Sequence, residues 1–447
     1  MVLVLALFGA VAYAEPPTDL KKELQDARSE IAELRAKYDA LLKRVELGEQ
    51  QAVQDGAREE LIRLVAGLKG SEPALAMKSR FAGLTFMPYG YIKTDMGYNL
   101  SKTSDPNQPA FVLPEGIGPF GEGDDELGLT AMQTRLGFNI YGPEAAGATT
   151  QGTVEVDFYG TLAPENKAKI MMRRAFVLLD WGSVWLKAGQ DWEVFSPSFP
   201  NTLNYPYLAL AGNPGYRRPL VAVGSTTDLG DLQVETAVAA VRTMGELGVF
   251  GSGLTKDTGS DSGFPALQGR LGVSFPFAES RCKVGVSGVW GEEEVDSALT
   301  THEDHYPTWA VCLDAAIPVC QYLELKGEVW VGENVDEWVG GIAQGVDAGR
   351  MDGIQAMGAW GQATIKVSDA TQINLGAGID DPKNSDLTVN AVNTIPRTQN
   401  VVYYGNVLHK LSKQLVVGFE VSYFDTSYLV HGDADNLRFQ ASVIYNF

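Results

Sequence analysis

The chain ends on an alternating stretch, Leu437-Arg438-Phe439-Gln440-Ala441-Ser442-Val443-Ile444-Tyr445-Asn446-Phe447. Successive side chains of an extended strand point to opposite faces. One face of this stretch is apolar and the other is polar, with Ile444 as the only exception. A strand of about ten residues with these two faces is the unit of a transmembrane β-barrel. A half-buried strand of a soluble sandwich has the same pattern, so the rest of the chain must decide between the two.

Length and composition narrow the choice. A chain of 447 residues can form several soluble domains or one large barrel. It has no run of about 18 consecutive apolar residues, which disfavours a helical membrane protein. The net charge of -21 disfavours a nucleic-acid partner. It does not argue against an outer membrane, where acidic outer loops can meet divalent cations held by lipopolysaccharide. Three cysteines leave at least one thiol unpaired, and four histidines lack metal-like spacing, so we predict no metal site and no cofactor.

The first 87 residues differ from the rest. Residues 2–14 are an apolar run ending in Ala12-Tyr13-Ala14, which predicts a signal peptide over 1–14. Apolar side chains then recur every seven residues, with a second series three residues later: Leu24, Ile31, Tyr38, Val45 and Ala52, with Ala27, Leu34 and Leu41. This heptad pattern predicts a periplasmic coiled coil over 18–68 and hence a homo-oligomer. The heptads alone leave dimer and trimer open. We predict a linker over 69–87.

Residues 88–447 alternate with period two and contain about sixteen candidate strands. Every second connection is a turn of a few residues, with 142–151 as the one longer case. The other connections are long loops rich in Gly, Asp, Asn and Pro, including 99–129 and 193–216. Outer-membrane barrels have an even strand number, short periplasmic turns and long external loops. The pattern therefore predicts an all-β transmembrane barrel of about 16 antiparallel strands, closed by pairing of the last strand with the first.

A sixteen-strand barrel encloses a water-filled channel, whose selectivity depends on charged side chains and on any loop folded inside. The basic residues predicted to line the pore and bind substrate are Lys93, Arg135, Arg174, Lys187, Arg217, Arg218 and Arg270. Of the adjacent Arg173 and Arg174, alternation predicts that only one points inward, and the apolar side chains that follow favour Arg174. Segment 193–216 is the best candidate for a constriction. Fixed guanidiniums favour anionic solutes. Alternatively, these cations only balance lumenal carboxylates such as Glu155, Asp157 and Asp191.

Several motifs occur in a characteristic order. They are Gln133-Thr134-Arg135-Leu136-Gly137-Phe138, Val154-Glu155-Val156-Asp157-Phe158-Tyr159-Gly160, Arg173-Arg174-Ala175-Phe176, Ala188-Gly189-Gln190-Asp191-Trp192 and Arg217-Arg218-Pro219. Their order and spacing resemble the DcaP-like trimeric outer-membrane porins over roughly 20–60 and 85–225. The resemblance implies a homotrimer, associated through an amino-terminal coiled coil and the barrel wall, and uptake of small anions such as dicarboxylates. Ala175-Phe176 departs from the family, which often has a further polar residue there.

These observations predict a passive diffusion channel in the bacterial outer membrane, with its coiled coil in the periplasm. Its partners would be outer-membrane lipid, lipopolysaccharide and small anionic solutes. A phosphate-selective porin and an envelope tether with a barrel anchor are the alternatives. The sequence has no G-x-S-x-G motif and no phosphate-binding loop, so we do not expect an enzyme.

Overall fold

The computed structural model describes residues 77–78, 83–116, 124–160, 167–243, 262–278, 280–296, 303–390 and 392–447. The β-segments in chain order are β1 (Met77–Lys78), β2 (Thr85–Asn99), β3 (Glu126–Thr130), β4 (Arg135–Ala145), β5 (Ala148–Asp157), β6 (Met171–Asp180), β7 (Val184–Trp192), β8 (Arg217–Leu229), β9 (Leu232–Val241), β10 (Ala266–Phe277), β11 (Ser280–Asp296), β12 (Glu303–Cys320), β13 (Leu323–Glu333), β14 (Val346–Asp347), β15 (Asp352–Gly353), β16 (Gln355–Lys366), β17 (Thr371–Pro382), β18 (Arg397–Lys410), β19 (Leu415–Tyr428) and β20 (Ala434–Asn446). Two short 3-10 helices, Asp336–Trp338 and Asn384–Asp386, lie in loops.

The strands close into a barrel of sixteen antiparallel strands, as predicted. β3 and β4 pair with successive parts of β2 and form one interrupted strand. β14 and β15 form a separate two-stranded sheet, and β1 is a two-residue extension beside β2. The last strand pairs with the first from Tyr91↔Asn446 to Asn99↔Arg438. Phe447 and Gly90 then exchange two backbone hydrogen bonds of 3.1 and 3.3 Å. Closure leaves the barrel with no free edge.

The two faces of the wall differ as the alternation predicts. On β20, Arg438 and Gln440 are buried in the lumen, whereas Val443 and Tyr445 are about half exposed on the outer surface. β2 repeats this pattern, and Ile92 is exposed on the outer face beside a buried lysine. Four aromatic residues of the wall and its turns are also exposed: Trp181, Tyr322, Tyr423 and Tyr445. An apolar outer band with aromatic residues near its edges fits a bilayer and its interfaces.

Among the described residues, no helix is both long enough and apolar enough to cross a bilayer.

Two boundaries differ from the prediction. The loop predicted over 99–129 ends early, because β3 already begins at Glu126. The chain then leaves the sheet over 131–134, so Met132 is buried and does not lie on the lipid-facing surface. The longer connection predicted over 142–151 is a two-residue turn at Ala146 and Gly147, with φ of 51° and 78°. Two consecutive positive φ angles suit a tight hairpin, because their twist matches that of the flanking strands.

The predicted signal peptide over 1–14 and the coiled coil over 18–68 lie outside the described residues, as does most of the linker over 69–87. They stay predictions.

Candidate functional site

The connection between β7 and β8, residues 193–216, folds into the lumen, and we call it the constriction loop. Carboxylates of the opposite wall accept its hydrogen bonds. Glu328 of β13 accepts from the Ser198 backbone N–H at 2.9 Å and from the Ser196 hydroxyl at 2.6 Å. Glu420 of β19 accepts from the Leu203 backbone N–H at 2.6 Å. The loop is therefore held inside the barrel from strands far away in the sequence.

The loop carbonyls are bound in the same way. Lys326 Nζ donates to the Phe199 carbonyl at 2.7 Å, and Trp330 Nε1 donates to the Gly212 carbonyl at 3.1 Å. Lys93 Nζ donates to the Leu203 carbonyl at 2.7 Å. Lys93, predicted to line the pore, therefore supports the loop and is itself buried.

On its other side, four rings of the loop and two rings from outside it form a string in mutual contact, with centroid separations of 4.3 to 6.5 Å. The rings belong to Tyr159, Trp192, Phe199, Tyr205, Tyr207 and Tyr216. Beside them lie the basic residues of β4, β6, β7 and β8. Burial alone would raise the pKa of Tyr207, but the nearby guanidiniums of Arg135 and Arg173 lower it. The environment of this side of the loop is thus positive.

Both adjacent arginines of β6 point into the lumen, contrary to the prediction that only one would. The pairing between β5 and β6 shifts from Glu155↔Arg174 to Val156↔Met172, so Arg173 is the extra residue of a β-bulge. A bulge leaves one residue unpaired and redirects its side chain. Arg173 is fully buried and donates to Glu155 at 2.9 Å and to Asp157 at 2.5 Å.

Arg174 and Lys187 share one carboxylate. Arg174 Nε lies 2.6 Å from Asp191 Oδ1, and Lys187 Nζ lies 2.5 Å from Asp191 Oδ2. Both cations also lie 5.1 Å from the centroid of the Phe176 ring. The side chains of Arg174 and Lys187 are 29% and 23% exposed, whereas that of Asp191 is 2% exposed. Lumenal water therefore meets the two cations and hardly meets the anion.

The same asymmetry recurs at two other predicted residues. Arg135 Nε lies 3.5 Å from Glu155, and the cation is 17% exposed against 5% for the carboxylate. Arg270 on β10 makes a two-point contact with Asp314 at 2.5 and 2.9 Å, and it too is more exposed than its partner. Around the loop, four cations, Arg135, Arg173, Arg174 and Lys187, share three carboxylates, Glu155, Asp157 and Asp191. This group keeps a net positive charge and exposes its positive side.

The two arginines that begin β8 have different roles. Arg218 is fully buried, pairs with Glu193 at 2.9 Å and donates to the Glu337 carbonyl at 2.8 Å. Its guanidinium carbon lies 3.8 Å from the centroid of the Trp338 ring. Burial raises the pKa of Glu193, although Arg218 acts to lower it. Arg218 therefore links the start of the loop at Glu193 to β8, while Arg217 lies against the aromatic string.

Sequence reasoning missed Arg173, Glu328 and Glu420. Strict alternation placed Arg173 outward or at the rim, because alternation within one strand cannot show a bulge, which depends on the pairing of two strands. The two glutamates alternate as ordinary lumenal residues of their strands. Within the described part of the chain, no three His, Cys, Asp or Glu side chains group in a way that could hold a metal ion.

Comparison with known proteins identifies the fold. No protein-family model and no curated protein matches the chain. Among solved structures, the outer membrane channel DcaP of Acinetobacter baumannii is similar, with a TM-score of 0.66 and 19% sequence identity over 83% of this chain and 99% of that chain. This chain has the fold of an outer-membrane porin.

Two further porins share the fold at lower similarity. The anion-selective porin from Comamonas acidovorans has a TM-score of 0.51 and 12% identity over 81% of this chain and 100% of that chain. OmpF of Salmonella typhi has a TM-score of 0.50 and 10% identity over 83% of this chain and 100% of that chain. The porin architecture expected from the sequence is therefore confirmed, and the resemblance to DcaP holds at the level of the fold.

Proposed function

We propose that this protein is a DcaP-like porin of the outer membrane, a passive diffusion channel for small hydrophilic solutes that prefers anions such as dicarboxylates. One observation carries the proposal: three cations beside the constriction loop are partly exposed while their carboxylate partners are buried, and they are Arg135, Arg174 and Lys187. Charges that line a channel set its selectivity. Three partly exposed cations on one side of the loop favour anions through Coulomb attraction.

The proposal includes assembly as a homotrimer in the outer membrane. The heptad pattern over 18–68 supports association, and the DcaP-like resemblance favours three chains. No enzymatic activity is part of the proposal.

Single-channel recording in planar bilayers tests this function. Under a potassium chloride gradient, the reversal potential of the wild-type channel should indicate preference for chloride over potassium. The double variant Arg135→Ala, Arg174→Ala should lose more conductance for succinate than for chloride, because it removes two cations that can contact two carboxylates together.

Equal loss for both anions would mean that these residues provide only general charge. Cation preference of the wild-type channel would overturn the proposed anion preference. Glu235→Ala is the control, because Glu235 of β9 pairs with Gly272 of β10 and acts electrostatically on Arg270, on another part of the wall. Its removal should not reduce succinate conductance selectively.

A further inference from the structure

Arg217 differs from the other cations near the constriction loop. It is the first residue of β8 and only 2% exposed. Its Nε is buried and has no hydrogen-bond partner. Two rings flank the guanidinium, with the Trp192 centroid 4.8 Å and the Tyr216 centroid 4.4 Å from Cζ. These rings hold the side chain at the point where the loop returns to the wall.

The cations of β4 and β6 beside the loop have carboxylate partners, and Arg217 has none among the described residues. Arg135 and Arg173 pair with Glu155, and Arg174 pairs with Asp191. Among the residues that the structure describes, no carboxylate lies within ion-pair distance of the Arg217 guanidinium. The cation–π contacts with the two rings only partly offset the cost of burying a charge.

We propose that Arg217 is an oxyanion subsite of the channel, and that the missing counter-charge is the anionic group of the permeating solute. This inference rests on the proposed function and assigns to one residue the main contribution to binding. The planar guanidinium suits a two-point contact with a carboxylate or a phosphate. The paired cations attract anions, and Arg217 binds them.

Conductance saturation measures this binding directly. The probes are potassium acetate and potassium phosphate, each raised in concentration across a bilayer that contains the full-length channel. The half-saturating acetate concentration should rise about tenfold in Arg217→Gln, the loss expected for one charge-assisted contact. Arg217→Lys should lose part of this affinity, because it keeps the charge but not the planar fork.

The control is Arg281→Gln, which removes an arginine of β11 that donates to the Ser274 hydroxyl and the Asp231 carbonyl rather than to the constriction loop. It should leave the half-saturating concentration within about twofold of the wild type, a difference below 0.5 kcal/mol. Loss of phosphate saturation in Arg217→Gln without loss of acetate saturation would assign the subsite to phosphate-type anions.

The inference is overturned if Arg217→Gln keeps the wild-type half-saturating concentrations for both probes while the wild-type channel remains anion-selective. Cation selectivity of the wild type would instead overturn the proposed function. Heat-modifiable migration on gels shows whether each variant is folded. If Arg217→Gln fails to fold, Arg217→Lys and Trp192→Leu decide. Wild-type half-saturating concentrations in both of these variants, each shown to be folded, also overturn the inference.

Discussion

At the scale of single residues, like charges in this lumen have unlike roles. Arg218 is fully buried between Glu193 and the Trp338 ring, and water does not reach it. Arg174 is 29% exposed and faces the lumen. Burial together with a buried carboxylate partner, rather than charge alone, therefore marks a structural arginine such as Arg218.

Replacing Arg218 should reduce stability. Arg218→Ala leaves Glu193 buried without its cation, and breaking a buried pair costs about 3 to 5 kcal/mol. The measurement is the urea concentration at which half of the protein is unfolded. The folded fraction is monitored by heat-modifiable migration on gels. The matched control Arg174→Ala should shift the midpoint much less, because its side chain is partly exposed.

The destabilisation should depend on pH with a defined sign. Burial raises the pKa of Glu193, and loss of Arg218 removes a group that lowers it. Between the unfolded pKa and the raised folded pKa, the folded variant binds more protons than the unfolded chain, so its stability rises as the pH falls. The loss of stability in Arg218→Ala, relative to the wild type, should therefore become smaller in acid. A deficit that grows in acid would contradict this account of Glu193.

At the scale of elements, the constriction loop is held by groups on many strands. Its backbone N–H groups donate hydrogen bonds to Glu328 and Glu420. The Asn201 backbone N–H also donates to Gln362 of β16 at 2.6 Å. A buried N–H without an acceptor costs about 1 to 3 kcal/mol. The loop keeps its course because each acceptor is in place.

Removing two of these acceptors should loosen the loop. In Glu328→Ala, Glu420→Ala the N–H groups of Ser198 and Leu203 lose their acceptors. We expect open-channel current noise to increase and discrimination between small and large anions to fall, both measured by single-channel recording. The control is Glu235→Ala, which removes a carboxylate of β9. Noise that rises equally in the control would rule out a specific role of the loop anchors.

At the scale of the whole molecule, the barrel closes through β2 and β20 within a single chain. It therefore needs no second chain to satisfy its backbone hydrogen bonds. The predicted coiled coil, in contrast, needs partner chains. Closure and oligomerisation should be separable.

Deletion of residues 18–68 tests this separation. The truncated protein should migrate as monomer on semi-native gels, or dissociate at a lower temperature than the full chain. Its conductance per barrel should stay unchanged, because the lumen is built within 83–447. A truncated protein that keeps its conductance but detaches the outer membrane in cells would favour the envelope tether instead. Loss of conductance in a folded, truncated barrel would contradict the independence of the channel.

Much of the architecture follows from sequence because strand alternation is a local property. The side chains of Leu437 to Phe447 assign their faces through period two, and the closed barrel repeats that assignment on β2. Alternation of short turns with long loops also predicts the topology and the even strand number. Aromatic residues and length pointed to 193–216 as the constriction.

The tertiary structure alone decided which charges meet water. The β-bulge at Arg173 arises from its pairing with β5, and alternation within β6 cannot show it. The course of the constriction loop depends on Glu328 and Glu420, which lie more than 100 residues away along the chain. Likewise, Lys93 and Arg218 have the same inward placement as Arg174, but the folded loop buries them. The local sequence determines the charge of a side chain and the strand face on which it lies. Its burial and its ion-pair partners depend on side chains that only the closed barrel brings together.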